Sequence, residues 1–279
     1  MIISIASGKG GTGKTTVAVS LAFALQQKLN LNFLDCDVEE PNAHFFLKPK
    51  ITETQPVLSP IPEIIDSKCT YCGDCAKICE YNALAVLKDK VLVFPELCHG
   101  CGGCTLLCPE KAIIEKGQRI GIIESGKTGN INFIQGILDI GQIMSPPIIR
   151  EVKKRIDPNI LNIIDAPPGT ACPTIESIKG SDYCILVTEP TPFGLNDLKI
   201  SVNVLNQLKI PYGVIVNRDG IGNQDVIEFC RKENIDVIMK IPMDKKIAEA
   251  YSNGKIISEK FPEYKDKFHH LFDQIKKQI

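Results

Sequence analysis

The chain opens Ile2-Ile3-Ser4-Ile5-Ala6-Ser7-Gly8-Lys9-Gly10-Gly11-Thr12-Gly13-Lys14-Thr15-Thr16. The first five of these residues read as a short buried strand. A glycine loop follows, then a helical stretch from Lys14 to about Leu29. Gly8 to Thr15 satisfies G-x-x-x-x-G-K-[ST] in full, and it lies between a strand and a helix, the context that gives the motif its meaning. Glycines let the backbone curl so that N–H groups face phosphate oxygens, and the helix N-terminus adds its dipole. Lys14 is expected to reach the β- and γ-phosphates, with the Thr15 hydroxyl on Mg²⁺. Gly8, Lys9, Gly10, Gly11, Thr12, Gly13, Lys14, Thr15 and Thr16 are the expected phosphate contacts.

Outward from the loop, strands and helices alternate. Leu31–Leu34, Leu161–Ile164, Tyr183–Thr188, Tyr212–Val216 and Asp236–Lys240 are strand-like. Helical patterns lie at 146–156, 194–208, 223–234, 244–252 and 264–278. Such alternation implies βαβ units and a mostly parallel sheet flanked by helices, the α/β fold class of a P-loop NTPase. Residues 35–60 read as irregular and contain Pro41, Pro49, Pro56 and Pro60. Residues 119–124 and 130–135 read as a hairpin around 125–129. One interruption stands out: between Pro60 and about Lys116, cysteines and short segments replace the alternation. The expected organisation is a discontinuous ATPase domain, 1–58 plus 119–279, with an inserted α+β domain at 59–118.

The formal net charge is −1, which gives no electrostatic footprint for nucleic acid. No apolar run approaches the ~18–20 residues of a membrane span, and the N-terminus carries no signal-peptide pattern. The expected location is the cytoplasm. There, disulfides are rare, so the eight cysteines crowded between Cys69 and Cys108, out of twelve, are expected to bind metal.

Those eight read Cys69-x₂-Cys72-x₂-Cys75-x₃-Cys79 and Cys98-x₂-Cys101-x₂-Cys104-x₃-Cys108-Pro109. The doubled spacing resembles that of bacterial-type ferredoxins, in which the fourth cysteine of each run ligates the other cluster. The resemblance implies two [4Fe–4S] clusters, one on Cys69, Cys72, Cys75 and Cys108, the other on Cys98, Cys101, Cys104 and Cys79. Zinc is the rival for C-x₂-C pairs, but a zinc knuckle uses four ligands rather than eight in crossed triplets. Tyr71, Ala76, Ile78, Ala83 and Ala112 are expected to pack around the clusters. The first run departs from the ferredoxin pattern with Glu80 in place of a proline, which changes local hydration rather than ligation.

Lys9 is a second lysine inside the phosphate loop. The stretch Lys9-Gly10-Gly11-Thr12-Gly13-Lys14-Thr15 resembles the deviant loop of the MinD/ParA family, which includes the nitrogenase iron protein. The resemblance covers nearly all of the chain outside the cysteine insert. It implies an ATP-sandwich homodimer in which Lys9 reaches the partner's nucleotide. It also implies a switch I acidic residue after the second strand, Asp37 with Asp35 as second candidate, which orients water and helps organise Mg²⁺. Asn162-Ile163-Ile164-Asp165 is an apolar strand ending in a Walker B aspartate, placing Asp165 near Mg²⁺. The following Ala166-Pro167-Pro168-Gly169 resembles switch II of the iron–sulfur branch, with the Gly169 N–H as γ-phosphate sensor. Asn217 and Arg218 stand where the family reads adenine. Lys9, Lys14, Asp37 and Asp165 are thus the expected catalytic residues; Thr15, Asp37 and Asp165 are the expected Mg²⁺ set.

Four cysteines lie outside the insert. Cys172 follows switch II at the spacing of a cluster ligand in the nitrogenase iron protein, but this chain has no cysteine from 109 to 171 to supply the usual second ligand. It is read as a switch-linked or small packing residue. Cys36, Cys184 and Cys230 are read as core. Phe268, Leu271, Phe272, Ile275 and Ile279 make an apolar stripe, read as a last helix docked on the sheet rather than a membrane-binding one, with His269 and His270 at the surface.

Three functions follow as expectations. The first is ATP-gated electron transfer through two clusters. The second is cluster or cofactor assembly by a carrier ATPase. The third is a MinD-like positioning switch with a redox input. Expected partners are a second copy in the ATP state, a paralogous ATPase or a redox protein, with neither nucleic acid nor a membrane.

Overall fold

Alternate residues of the central strands point to opposite faces of one sheet, and both faces are covered. The computed structural model describes all 279 residues. In chain order its elements begin β1 (Ile2–Ala6), α1 (Lys14–Leu25), β2 (Leu31–Asp35), α2 (Ala43–Leu47) and β3 (Lys50–Ile64). The cysteine segment follows, with α3 (Asp74–Ile78), β4 (Leu84–Val86), β5 (Val91–Val93) and α4 (Gly103–Leu107). The chain returns through β6 (Ile113–Thr128) and β7 (Ile131–Leu138). It continues as α5 (Pro146–Lys153), β8 (Leu161–Asp165), α6 (Cys172–Ile178), β9 (Tyr183–Thr188), α7 (Pro192–Leu208) and β10 (Tyr212–Asp219). It ends with α8 (Asp225–Lys232), β11 (Val237–Pro242), α9 (Lys245–Ser252), α10 (Ile257–Lys260) and α11 (Pro262–Lys276).

Nine strands form one sheet in the order β11-β10-β9-β1-β8-β2-β7-β6-β3. The pairs from β11 to β7 are parallel, while β6 runs antiparallel to both β7 and β3. On one face Ile3, Ile5, Phe33, Ile163 and Ile215 pack against α1, α10 and α11. Their strand neighbours Ala6, Leu34, Ile164, Val214 and Val216 face the other side, under α5 to α8. Strands that alternate in this way yet are apolar on both faces read as continuous hydrophobic runs, as expected of a doubly covered parallel sheet. α1 is apolar all round because it lies inside this core. α11 buries Tyr264, Phe268, Leu271, Phe272 and Ile275 in the main core, so its apolar stripe is a docking face. No helix is long and apolar enough to cross a membrane.

Two stretches differ from the sequence reading. Residues 50–64, taken as part of an irregular region, are a long strand, and Ala43–Leu47 before them is a short helix. β3 is the edge of the sheet, where a proline's missing N–H disrupts no ladder, so Pro56, Pro60 and Pro62 are tolerated. The β6–β7 hairpin turns at Gly129-Asn130 rather than across 125–129, because β6 stays paired with β7 through Thr128.

β3 and β6 do more than close the sheet. β7 pairs with β6 only from Leu138, opposite Gly121, whereas the β3–β6 ladder continues from Leu58–Arg119 to Ile64–Ile113. β7 is parallel to β2, so this overhang passes the edge where β2 ends at Asp35. At about 3.3 Å per residue the two-strand stalk rises ~20 Å above that edge. Residues 66–112 sit on top of it.

Candidate nucleotide site and cysteine cavities

Each parallel strand delivers its C-terminal residue to the same edge. β1 leads into the phosphate loop, β2 into Asp35 and Asp37, β8 into Asp165 and Gly169, and β10 into Asn217 and Arg218. A cleft of about 400 Å³ opens there, lined among others by Gly10, Gly11, Gly13, Lys14, Thr15, Thr16, Asp37, Asn217 and Arg218. Gly13 lies at φ 93°, a left-handed conformation, and a Cβ there would collide with the Asn217 amide. Its glycine is therefore required by both backbone and space.

Asp35 and Asp165 are paired in register on adjacent strands, and both are fully buried. Asp35 accepts backbone N–H groups from Asp37 (3.1 Å), Asn42 (3.3 Å) and Ala43 (3.1 Å), which shapes the turn into α2. Burial, with the neighbouring Asp165 charge, drives its pKa well up. Neither oxygen of Asp165 has a hydrogen-bond partner of good geometry. Burial raises its pKa, while the Thr15 hydroxyl and the Lys14 ammonium favour the ionised form. An orphaned buried carboxylate beside a threonine hydroxyl is a fitting donor pair for Mg²⁺. Lys14 is nearly buried; burial lowers its pKa, and Asp165 and Asp37 oppose that.

Asp37 lines the cleft, and burial lifts its pKa from 3.8 to about 6, partly offset by Lys14. The folded cleft therefore favours the protonated acid, so the metal-free protein is expected to lose stability as pH rises through that window. As a member of the expected Mg²⁺ set, Asp37 would bind the metal in its ionised form. The gain in Tm on adding Mg²⁺-ADP is therefore expected to be larger at pH 7.5 than at pH 5, by thermal shift at one and the same Mg²⁺-ADP concentration. An equal gain at both values would remove this role from Asp37.

The structure finds partners that the sequence left open. Lys9 is bonded to the buried Glu189 carboxylate at 3.3 Å, and Arg218 joins the same carboxylate at 2.6 Å. Glu189 was missed; its only signal was its place at the end of an apolar strand. The Asn217 amide donates to the Thr12 carbonyl at 2.8 Å and its oxygen accepts the Arg218 N–H at 2.9 Å, tying it to the phosphate loop. The Gly169 N–H donates to the Ser7 carbonyl at 3.0 Å. Cys172 is exposed at the start of α6, while Cys36, Cys184 and Cys230 are buried. Burial pushes the Cys184 thiol to about 12 and that of Cys230 to about 11.

The cysteine segment is a structural repeat. Tyr71 and Gly73 adopt positive φ (55° and 86°), as do their counterparts Gly100 and Gly102 (61° and 74°). Cys79 accepts the Ala83 N–H at 3.3 Å, and Cys108 accepts the Ala112 N–H at 3.3 Å. One cavity is lined by Cys69, Cys72, Cys75 and Cys108, with Tyr71 and Ala112. A second is lined by Cys79, Cys98, Cys101 and Cys104, with Ile78 and Ala83. All eight thiols are free, and no three metal-ligating side chains converge on the position of a single ion. A single tetrahedral zinc would hold its four sulfurs ~3.8 Å apart, given Zn–S bonds near 2.3 Å. Two sets of four cysteines, each lining its own cavity and receiving N–H groups at sulfur, suit a polynuclear cluster.

A phosphate loop after β1, an aspartate ending the neighbouring strand β8 and a cleft opening on the loop mark a P-loop ATPase. The sequence matches the CobQ/CobB/MinD/ParA nucleotide-binding domain over residues 3–257, and the chain belongs to that family. It is 34% identical to the uncharacterized protein MJ0579 of Methanocaldococcus jannaschii over 95% of this chain and 93% of that one. It is 26% identical to the iron-sulfur cluster carrier protein of Pyrococcus horikoshii, covering 90% of this chain and 77% of the relative. Its fold resembles the cell division ATPase MinD of Pyrococcus furiosus at TM-score 0.62 and 21% identity, covering 100% and 99% of the two chains.

Proposed function

We propose that this ATPase holds two [4Fe–4S] clusters, in an inserted unit at 59–118, and that its nucleotide state governs electron transfer through them. The observation that carries this reading is that each crossed set of four cysteines lines its own cavity, on a stalk continuous with the ATPase sheet. Cys69, Cys72, Cys75 and Cys108 would hold one cluster, and Cys79, Cys98, Cys101 and Cys104 the other. Such clusters supply one-electron chemistry at potentials set by charge, hydrogen bonds and exposure. In the nucleotide cleft, Lys14 and the phosphate-loop N–H groups bind and orient the phosphates. Asp37 positions the attacking water, and Thr15, Asp37 and Asp165 would hold Mg²⁺. Asn217 and Arg218 sit at the base end, and Gly169 exchanges its bond to Ser7 for the γ-phosphate. The decisive experiment is anaerobic purification with iron and sulfide analysis and EPR, followed by electron transfer to an acceptor with ATP and with ADP. About eight irons per chain and ATP-dependent transfer are expected; four or fewer irons, or transfer indifferent to nucleotide, would overturn the reading.

Lys9 is the proposed contact to the partner's nucleotide in an ATP-bound homodimer. Held by Glu189 in the single chain, it would exchange that carboxylate for phosphate on dimerisation. Lys9→Ala is expected to retain ATP binding while losing dimerisation in light scattering and about 10²-fold of hydrolysis, the scale of one missing charge-stabilising donor. A monomeric wild-type protein that hydrolyses ATP at full rate would contradict it.

A second reading is cluster carriage. It is favoured by the relatives named iron-sulfur cluster carrier protein and by the exposure of Cys72 and Cys101. Loss of a cluster to an apo acceptor, with ATPase intact, would select it over electron transfer.

A further inference from the structure

The two cysteine cavities are alike by internal repeat, yet they are attached differently. The Cys98–Cys104 loop lies flat on the stalk. Gly100 is so close to β3 that a Cβ there would meet the Ser59 Oγ at 2.9 Å and the Pro60 ring at 3.1 Å. Its cavity is walled by Pro60 and Pro62 from β3 and Glu115 from β6. The counterpart of Gly100 is Tyr71, a side chain that no stalk strand crowds out, and nothing stands within 4 Å of a Cβ on Gly73. The Cys69–Cys75 cavity meets the stalk only at its tip, through Ile64 and Ile113.

The foot of the stalk is stitched to switch I. The Leu138 N–H donates to the Val38 carbonyl at 2.8 Å, directly after Asp37. One residue on, the Asp139 N–H donates to the Ile120 carbonyl, and its carboxylate accepts from Nε and Nη2 of Arg119 on β6, both at 2.9 Å. Ser145, closing the same loop, donates to Glu39 at 3.0 Å. A displacement of residues 37–41 therefore acts on β7 and Asp139, then on β6, and reaches the wall of one cavity before the other. Paired strands transmit such shifts because their ladder and packing do not deform continuously.

From this attachment we infer that the Cys79/Cys98/Cys101/Cys104 site is the one that senses nucleotide, through the β3–β6 stalk, and that the Cys69/Cys72/Cys75/Cys108 site does not. The inference rests on the reading that both cavities hold clusters. The test is an EPR-monitored redox titration of the anaerobically reconstituted full-length protein, with Mg²⁺-ADP and with a non-hydrolysable Mg²⁺-ATP analogue. Cys101→Ser and Cys72→Ser assign the two signals. The analogue is expected to shift the midpoint or g-values of the signal that Cys101→Ser alters, and to leave the other in place. Arg119→Ala is expected to keep iron content, both signals and nucleotide affinity while losing the shift; Asp139→Ala removes the same pair should the first variant not fold. A shift confined to the Cys72 signal, an equal shift in both, or none with both clusters loaded overturns the inference. Failure to load two clusters instead defeats the reading beneath it.

Discussion

With iron in the cysteine cavities as proposed, stripping it is expected to unfold residues 66–112 and leave the nine-stranded sheet intact. None of the three core clusters contains a residue from that segment. Its buried apolar side chains are Ala83, Leu84, Val91 and Ala112, while Tyr81, Leu87, Leu97, Leu106 and Leu107 are exposed. A two-stranded sheet of β4 and β5 is marginal on its own in water. A unit of this size with so small a core is expected to draw its folding free energy from bound metal. Hydrogen exchange after anaerobic chelation should show protection lost across 66–112 and kept in β1, β2 and β8. The thermal transition of the ATPase sheet should move little. Retained protection in the iron-free segment would mean that the cysteines are not its scaffold.

Lys14→Ala is expected to abolish hydrolysis, by about 10²–10³-fold or more, the scale of one charge-stabilising donor in a dry site. It should also abolish the thermal shift on Mg²⁺-ADP. Lys14 is nearly buried between Asp165 and Asp37 and is the cation that favours their ionised forms. Removing it leaves the buried Asp165 and the half-buried Asp37 without their cation, so both are expected to take up protons more readily and to bind Mg²⁺ less tightly at neutral pH. A malachite-green assay and differential scanning fluorimetry read the two effects separately. A variant that still hydrolyses ATP within tenfold of wild type would remove Lys14 from the chemistry.

What was legible in the sequence was whatever a spacing or a strand end imposes. The phosphate loop needs glycines at fixed positions, Asp165 ends a run with no other charge, and the cysteines repeat in two runs of identical spacing. What was not legible depends on tertiary neighbours. Pro56, Pro60 and Pro62 argue against a strand until β3 is known to be an edge. The bond from Asn217 to Thr12 belongs to residues far apart in the chain, as does the pairing of Lys9 with Glu189. The high pKa of Asp35 comes from its burial and then from Asp165 at its side, and both depend on the register of β2 and β8 inside the sheet. α2 and α10, of five and four residues, are too short for a periodic pattern to register.

The stalk has a consequence for ancestry. The chain leaves the sheet at Ile64 and returns at Ile113, residues that face each other across one ladder. Whatever lies between them can be lengthened, exchanged or deleted, and the host strands still meet as an ordinary hairpin. A segment carried in this way asks for no new topology from the ATPase. Descendants of the chain are free to lose or replace the segment while the nucleotide-binding sheet stays as it is.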